Sequence, residues 1–492
     1  MNSKRMLVLT LLVTMLVPVS GRVLAETLDG GEPVTPAHLQ QMQSELDSLR
    51  SQLNGVRASQ NETWLNERRA QEVKSLVREV LADADMRASM VEGGSTAGHN
   101  GKNFFLANED GSFLMNVSGQ IQGRYVATFR RDSGADDGET GFVVRRAKVA
   151  FAGHIADPRI KYAIQLAVDP GSNIAIADKI VMSYDLTDNI TIWAGEDKGP
   201  FLREELTNSN AQLAVERSYV NEIFTLDKVQ GIGAIWEPTD SVKIHGMWND
   251  GMRSGESGGG SNAFTQAMAF DAQTIATTQE GTVTKDFDGD RTDFAMTTRI
   301  DIRLMGDWNQ MSDFTSWSGE EMALFVGGAF HWEVGETHDG AFNNDFYSWT
   351  IDASYENQGW SAFVAGVGQH TDQEDTAILG GATNFDQFGA IAQVAYNMDT
   401  GNGRSIEPFF RYEYIDFDSA ITTTTFAGGN DVAHIITGGF NWYFAKHAAK
   451  FTADVVYALD PLPIGQSGLG LLSDANNEDG QVALRGQFQL LF

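Results

Sequence analysis

The densest run of oxygen ligands in this sequence is Asp286-Phe-Asp-Gly-Asp290, which begins like a calcium-binding loop. Such a loop needs glycine at its sixth position for a sharp turn and a bidentate glutamate at its twelfth. Those places hold Arg291 and Thr297, so the run does not read as an EF-hand. A solvated acidic loop is the plainer reading. The 9 His are scattered without ligand spacing, and none falls in a nucleophile–base motif. With 0 Cys there is no thiolate nucleophile, no Cys-ligated metal and no disulfide framework. No catalytic set, metal centre or cofactor is therefore expected. What remains is charge ordered by spacing. Asp293, Thr297, Arg299, Asp301 and Arg303 alternate with Phe294, Met296, Ile300, Ile302 and Leu304. Period two puts charge on one face of a strand and hydrocarbon on the other. Such a face attracts or repels ions in water; it does no covalent chemistry.

The same two-faced pattern recurs along the chain. Tyr162, Ile164, Leu166 and Val168 oppose Lys161, Gln165 and Asp169, while Tyr347, Trp349, Ile351 and Tyr355 oppose Ser348, Thr350, Asp352 and Ser354. At the C-terminus, Val482, Leu484, Gly486, Phe488, Leu490 and Phe492 oppose Gln481, Arg485, Gln487 and Gln489. Sixteen candidate strands follow, at roughly 113–129, 142–155, 160–169, 179–186, 190–197, 229–237, 241–250, 291–306, 322–335, 346–357, 359–370, 385–397, 404–417, 432–445, 447–459 and 480–492. No helical pattern and no blade-like repeat interrupts them. A soluble sandwich would also alternate, but sixteen such strands in series favour a wall with lipid outside and water inside. The expected fold is all-β, a 16-stranded antiparallel transmembrane β-barrel over 113–492. Aromatics near strand ends, such as Tyr125, Trp248, Trp332, Trp360, Trp442 and Tyr457, would form its interfacial girdles.

Ahead of the barrel the patterning changes. Lys4 and Arg5 precede an apolar run to Val19, and Val23-Leu24-Ala25 supplies a cleavage site, so 1–25 reads as a signal peptide. Leu39, Met42, Leu46, Leu49, Leu53 and Val56 keep a 3-4-3-4-3 spacing, a heptad seam. A second stripe follows at Val73, Leu76, Val77, Val80 and Leu81. The segment 26–91 is therefore expected as a periplasmic oligomeric coiled coil. From Glu92 to Asn103 the composition is that of a flexible linker, and 92–112 is assigned to it. The formal charge of −31 argues against nucleic-acid partners and against docking on anionic lipid through a basic patch.

Short runs carry a resemblance to a known family: Ser118-Gly-Gln-Ile-Gln-Gly-Arg-Tyr125, Arg145-Arg-Ala-Lys-Val-Ala-Phe-Ala-Gly153, Lys161-Tyr-Ala-Ile-Gln-Leu-Ala167 and Lys198-Gly-Pro-Phe201. With the signal peptide, heptad segment and barrel, the chain resembles the phosphate-selective porin O/P type of bacterial outer-membrane channel. Trp193-Ala-Gly-Glu-Asp197 departs from that pattern, standing where a Gly-Gln-Phe-like run would be expected. The resemblance implies a homotrimer of open pores among outer-membrane lipids, with the third long loop folded inward as a constriction. That loop is expected at Lys198 to Lys228, where Lys198, Arg203, Glu204, Glu205, Glu216, Arg217, Glu222, Asp227 and Lys228 would face each other across a throat and set ion preference.

Strand parity assigns the lumen wall. Its bases are Arg124, Arg146, Lys148, Lys161, Lys179, Lys243, Arg299, Arg303, Arg411, Lys450 and Arg485; its acids are Asp169, Asp185, Asp293, Asp301, Glu333, Asp352, Glu356, Glu407, Glu413 and Asp454. Eleven against ten is a nearly neutral wall. The expected function is a water-filled channel for passive diffusion of small hydrophilic solutes and ions, with anions such as phosphate implied by the resemblance rather than by the wall. A second reading gives the coiled coil the main role, as a tether between outer membrane and cell wall. An enzymatic barrel would need a clustered nucleophile and base, which the sequence does not supply.

Overall fold

The computed structural model describes residues 95–101, 103–130, 138–168, 175–252, 292–335, 344–373, 383–419, 431–462, 467–472 and 480–492, together with Ser44 and Ser48, which are helical. The signal peptide, the heptad seam, the second stripe, Asp169 and the Asp286–Asp290 run lie outside the described residues. The side chain of Asp293 does too.

Sixteen strands form one closed antiparallel sheet. They are β1 (Phe113–Phe129), β2 (Gly138–Ile155), β3 (Asp157–Val168), β4 (Ala175–Thr187), β5 (Ile190–Lys198), β6 (Lys228–Thr239), β7 (Val242–Asn249) and β8 (Thr292–Met305). They continue as β9 (Ala323–Gly335), β10 (Asn344–Asn357), β11 (Trp360–Gln373), β12 (Asn384–Tyr396), β13 (Arg404–Asp416), β14 (Val432–Ala445), β15 (Ala449–Ala458) and β16 (Gln481–Leu491). Consecutive strands pair, and β16 returns to β1 with Arg485 opposite Val126 and Leu491 opposite Gln120. Beyond that ladder, Gly119 and Phe492 exchange backbone hydrogen bonds of 2.6 and 3.1 Å. Closure leaves none of the sixteen barrel strands as an open edge, the condition for crossing a bilayer with strands.

The two faces fall as the alternation requires. On β16, Phe488 is 58% exposed while its neighbour Gln489 is 1% exposed. Met296, Ile300, Ile302 and Leu304 of β8 point out, while Thr297 and Arg299 are buried inside. Burying hydrocarbon outside in lipid and polar groups inside reverses a soluble core, and the polar core is then satisfied by ion pairs and hydrogen bonds. Tight turns close one rim, as at 188–189 between β4 and β5 and 358–359 between β10 and β11.

Three local features depart from the expected pattern. Within 92–112, where the composition is that of a linker, two strands, Ser95–His99 and Phe104–Asn108, form a hairpin. Its second strand adds onto β1, with Phe104 opposite Val117, so Phe104-Phe-Leu106 continues the sheet despite the glycine-rich residues before it. The other two features are β-bulges, which add one residue and reverse the parity of what precedes them. Between Gln122/Arg146 and Gly123/Val144 the register skips Arg145. Between Gln165/Lys179 and Leu166/Ala177 it skips Asp178.

The lumen and its inward loop as the candidate functional site

Residues 199–227, between β5 and β6, turn into the barrel. Two short helices, α1 (Arg203–Leu206) and α2 (Tyr219–Phe224), stiffen them. The loop carries its own hydrocarbon: Phe201, Leu202, Tyr219, Val220, Ile223, Phe224 and Leu226 are buried in one cluster with inward residues of the wall, among them Met247, Val367, Ile415 and Val456. Each such side chain removed from water contributes roughly 1.5–3 kcal/mol, enough to hold a loop inside a polar tube. The wall then satisfies the loop backbone. Glu413 accepts the Tyr219 N–H at 2.6 Å, capping α2, and Asp454 accepts the Val215 N–H at 2.9 Å. Lys450 donates to the Gln212 carbonyl and Asn441 to that of Leu213.

Four of the arginines expected to line the pore are sealed by this arrangement. Arg299 donates to the Phe201 carbonyl at 2.8 Å and pairs with Asp352 and Asp301. Arg411 donates to the Glu216 carbonyl and pairs with Glu413. Arg485 pairs with Asp454 and donates to the Leu469 carbonyl, part of a second inward segment at 467–472. Arg124 reaches Gln487, Gly468, Val215 and Glu216. All four face the lumen as strand parity requires, yet they bind inward segments instead of water. Arg303 lies at the end of β8, donating to the carbonyls of Gly306 and Asp240 at the turn rim.

The loop charges expected to oppose one another across a throat pair within the loop. Arg217 binds Glu205 at 3.1 Å and donates to the Glu204 and Thr207 carbonyls. Lys198 lies 3.3 Å from Glu205. Glu204 accepts the Ser218 N–H and hydroxyl, and Arg203 donates to Thr207. Apart from the partly buried Lys198 these side chains are buried, and an unpaired buried charge costs several kcal/mol, so the network is what the site demands. Glu216 is the hub. Its carboxylate binds Arg124 at 2.8 Å, Arg145 at 3.0 Å and Arg146 at 2.6 Å. Burial alone would raise this carboxyl, but Arg146, Arg145 and Arg124 outweigh it and hold it well below the usual carboxylate range. Burial, reinforced by Glu216 and Glu205, pushes the Glu222 carboxyl up to about 7.

Water reaches the opposite wall. There Lys148 pairs with Asp178 at 2.6 Å, Lys161 with Asp185, Lys179 with Asp197, and Lys228 lies 3.9 Å from Asp178. Lys161 remains 49% exposed and Lys179 33% exposed at the side chain. Arg145, brought inward by its bulge, keeps 30% of its side chain in water beside Glu216. A cavity of about 400 Å³ is lined by Asn116, His154, Lys161, Lys179 and Ser183, among others. This strip over β2–β6 was only half legible: parity found Arg146, Lys148, Lys161, Lys179 and Asp185 but missed Arg145, Asp178 and Asp197. The consecutive Arg145-Arg146 and Asp178-Lys179 pairs, which break the alternation, are the signal that marks both bulges.

The model of the phosphate-selective porin O and P family matches residues 115–312, a span that holds β1–β8 and the inward loop. Over that span the chain is similar to this porin family. Family and fold point to a channel of the outer membrane rather than an enzyme. No curated protein matches the chain. Among solved structures, the chain is similar to an anion-selective porin from Comamonas acidovorans at 11% identity and TM-score 0.47, over 77% of this chain and 99% of that one. It is similar to the OmpF of Salmonella typhi in complex with daunomycin at 14% identity and TM-score 0.46, over 80% and 100%. The outer-membrane channel DcaP of Acinetobacter baumannii matches at 10% identity and TM-score 0.45, over 76% and 97%.

Proposed function

We propose that the chain forms a water-filled pore for passive diffusion of small hydrophilic solutes and ions, with a weak preference for anions such as phosphate. The observation that carries this reading is the accessible strip over β2–β6. On it Arg145, Lys148, Lys161, Lys179 and Lys228 face Asp178, Asp185, Asp197 and the Glu216 carboxylate beside Arg145, five bases against four acids, a surplus of one. Because each of those acids is already paired, the surplus is small and so is the preference. A net unit charge about 6 Å from an ion in water is worth roughly 0.7 kcal/mol, a factor of about three in permeability. Arg146, Lys148 and Lys161 are then pore-lining, while residues 199–227 constrict as a packed body whose own charges are mutually paired.

An even strand number puts both ends of the barrel on one side, so the tight-turn rim faces the periplasm. The protein works as a homotrimer, exported by cleavage of residues 1–25. Reversal potentials across a salt gradient in planar bilayers test the pore, with an anion-to-cation permeability ratio of about three expected. A protein that inserts without conducting would remove the pore reading, and a cation-selective channel would remove the anion preference.

The heptad seam at 39–56 supports an accessory role, in which the coiled coil joins the protomers and contacts the cell wall. Deleting residues 35–91 should leave conductance intact and weaken envelope cohesion, read as increased shedding of outer-membrane vesicles. Unchanged shedding would count against the anchoring role.

A further inference from the structure

The inward loop is met by a segment from the opposite rim. A two-residue turn joins β10 to β11, whereas residues 306–322 connect β8 to β9. They first form a single 3-10 turn, Trp308–Ser312, fixed by a reciprocal capping box between Asp307 and Gln310. The chain then enters the barrel. Phe314 is 3% exposed, and Thr315 and Ser316 are fully buried. A polar tube offers a phenyl ring no apolar burial by itself, so Phe314 needs hydrocarbon brought to it. It finds Phe363 of β11, with ring centroids 4.8 Å apart, and shares a cluster with Leu213 and Ala214 of the 199–227 loop and with Phe409 of β13.

Directional contacts fix the rest of the segment. The Thr315 hydroxyl lies 3.0 Å from the Tyr443 hydroxyl, the Ser316 hydroxyl accepts the Gly359 N–H, and Asp313 lies 2.9 Å from His447. The link to the loop is Arg203. Its guanidinium carbon sits 5.5 Å from the centre of the Phe314 ring. Among the described residues its Nε and Nη2 make no hydrogen bond, so the ring face is a main partner for that side of the cation.

We propose that residues 313–317 are a further constricting segment, inserted from the turn rim, and that Phe314 is a positioning residue for the tip of the 199–227 loop through Arg203, Leu213 and Ala214. Two segments meeting end to end close the β9–β15 side of the lumen and confine solute to the strip over β2–β6. This rests on the diffusion-pore reading of the same lumen.

The test is single-channel recording in planar bilayers. Phe314→Ala should raise unit conductance by about two-fold, increase open-channel noise and move the reversal potential, since the seat of Arg203 is lost. Phe314→Tyr, which keeps the ring face, should restore wild-type values; a role confined to filling space would be rescued equally by Phe314→Leu. Should Phe314→Ala fail to assemble, Arg203→Gln must reproduce the rise in noise and the shift in reversal potential. A Phe314→Ala channel, or in its place an Arg203→Gln channel, with wild-type conductance, noise and reversal potential would overturn the proposal while leaving the pore reading intact. A wild-type protein that does not conduct would instead remove the pore reading.

Discussion

Replacing Glu216 with alanine is expected to open the pore and shift it toward anions. The carboxylate is 2% exposed and binds three guanidiniums at once. Removing one partner of a buried pair costs about 3–5 kcal/mol, because the opposite charge stays behind without compensation. Arg124 would be cushioned by Gln487 and by the Gly468 and Val215 carbonyls. Arg146 would keep only the Gln122 carboxamide oxygen at 3.0 Å and Arg145 would lose its carboxylate, and both border the wet strip. Two effects should follow. The loop loses its main hold on β1 and β2, so conductance and open-channel noise rise. The neighbourhood also gains one net positive charge, which at about 6 Å in water is worth roughly 0.7 kcal/mol, or about three-fold in the anion-to-cation permeability ratio. Glu216→Gln separates the two. It keeps the volume and one acceptor oxygen, so its selectivity shift should match that of alanine with a smaller rise in conductance. Reversal potentials that stay at the wild-type value in both variants would show that Glu216 is electrically remote from the path.

The expected effect lies on a residue whose importance periodicity could not reveal. Period two is set by the backbone, and every strand that obeys it was legible: the inward faces of β8, β10 and β16 hold the residues read off the alternation. What alternation cannot state is whether an inward side chain meets water or protein. Arg299 and Lys161 are both inward bases of similar reach, yet one is buried under the Phe201 carbonyl and the other is half in water. The difference comes from which wall the 199–227 loop leans on, a long-range choice made by Phe224, Val220 and Leu213 against β11–β15. Likewise, the charges within that loop announced a polar throat. Their pairing follows from desolvation, which only the folded path of the loop imposes. The segment at 313–317 was invisible for the same reason. Phe314 stands alone between polar residues, and nothing local says that a hydrophobic cluster awaits it.

Gly153 carries the second large effect, and it concerns assembly. Its position on β2 faces outward, opposite Tyr162 of β3. A Cβ there would lie 1.7 Å from the Leu114 carbonyl oxygen and 2.6 Å from its carbon, both backbone atoms of β1. No rotamer relieves that contact; β1 and β2 must part where the chain first enters the barrel. A glycine inside a strand marks such a close backbone approach. Gly153→Ala should therefore cost at least the 1–3 kcal/mol typical of an overpacked site, about a ten-fold or greater loss in the folded-to-unfolded ratio. Gly438, on β14, is the control, because an added Cβ there meets nothing within 4 Å. The measurement is the fraction of heat-modifiable barrel refolded into detergent or lipid, followed through a denaturant titration. Gly438→Ala should keep the wild-type midpoint and Gly153→Ala should lower it or abolish the folded band. Equal midpoints for the two variants would mean that β1 and β2 can separate at Leu114 without penalty. The closing contacts of β16 on β1 would then have to hold the first hairpin by themselves.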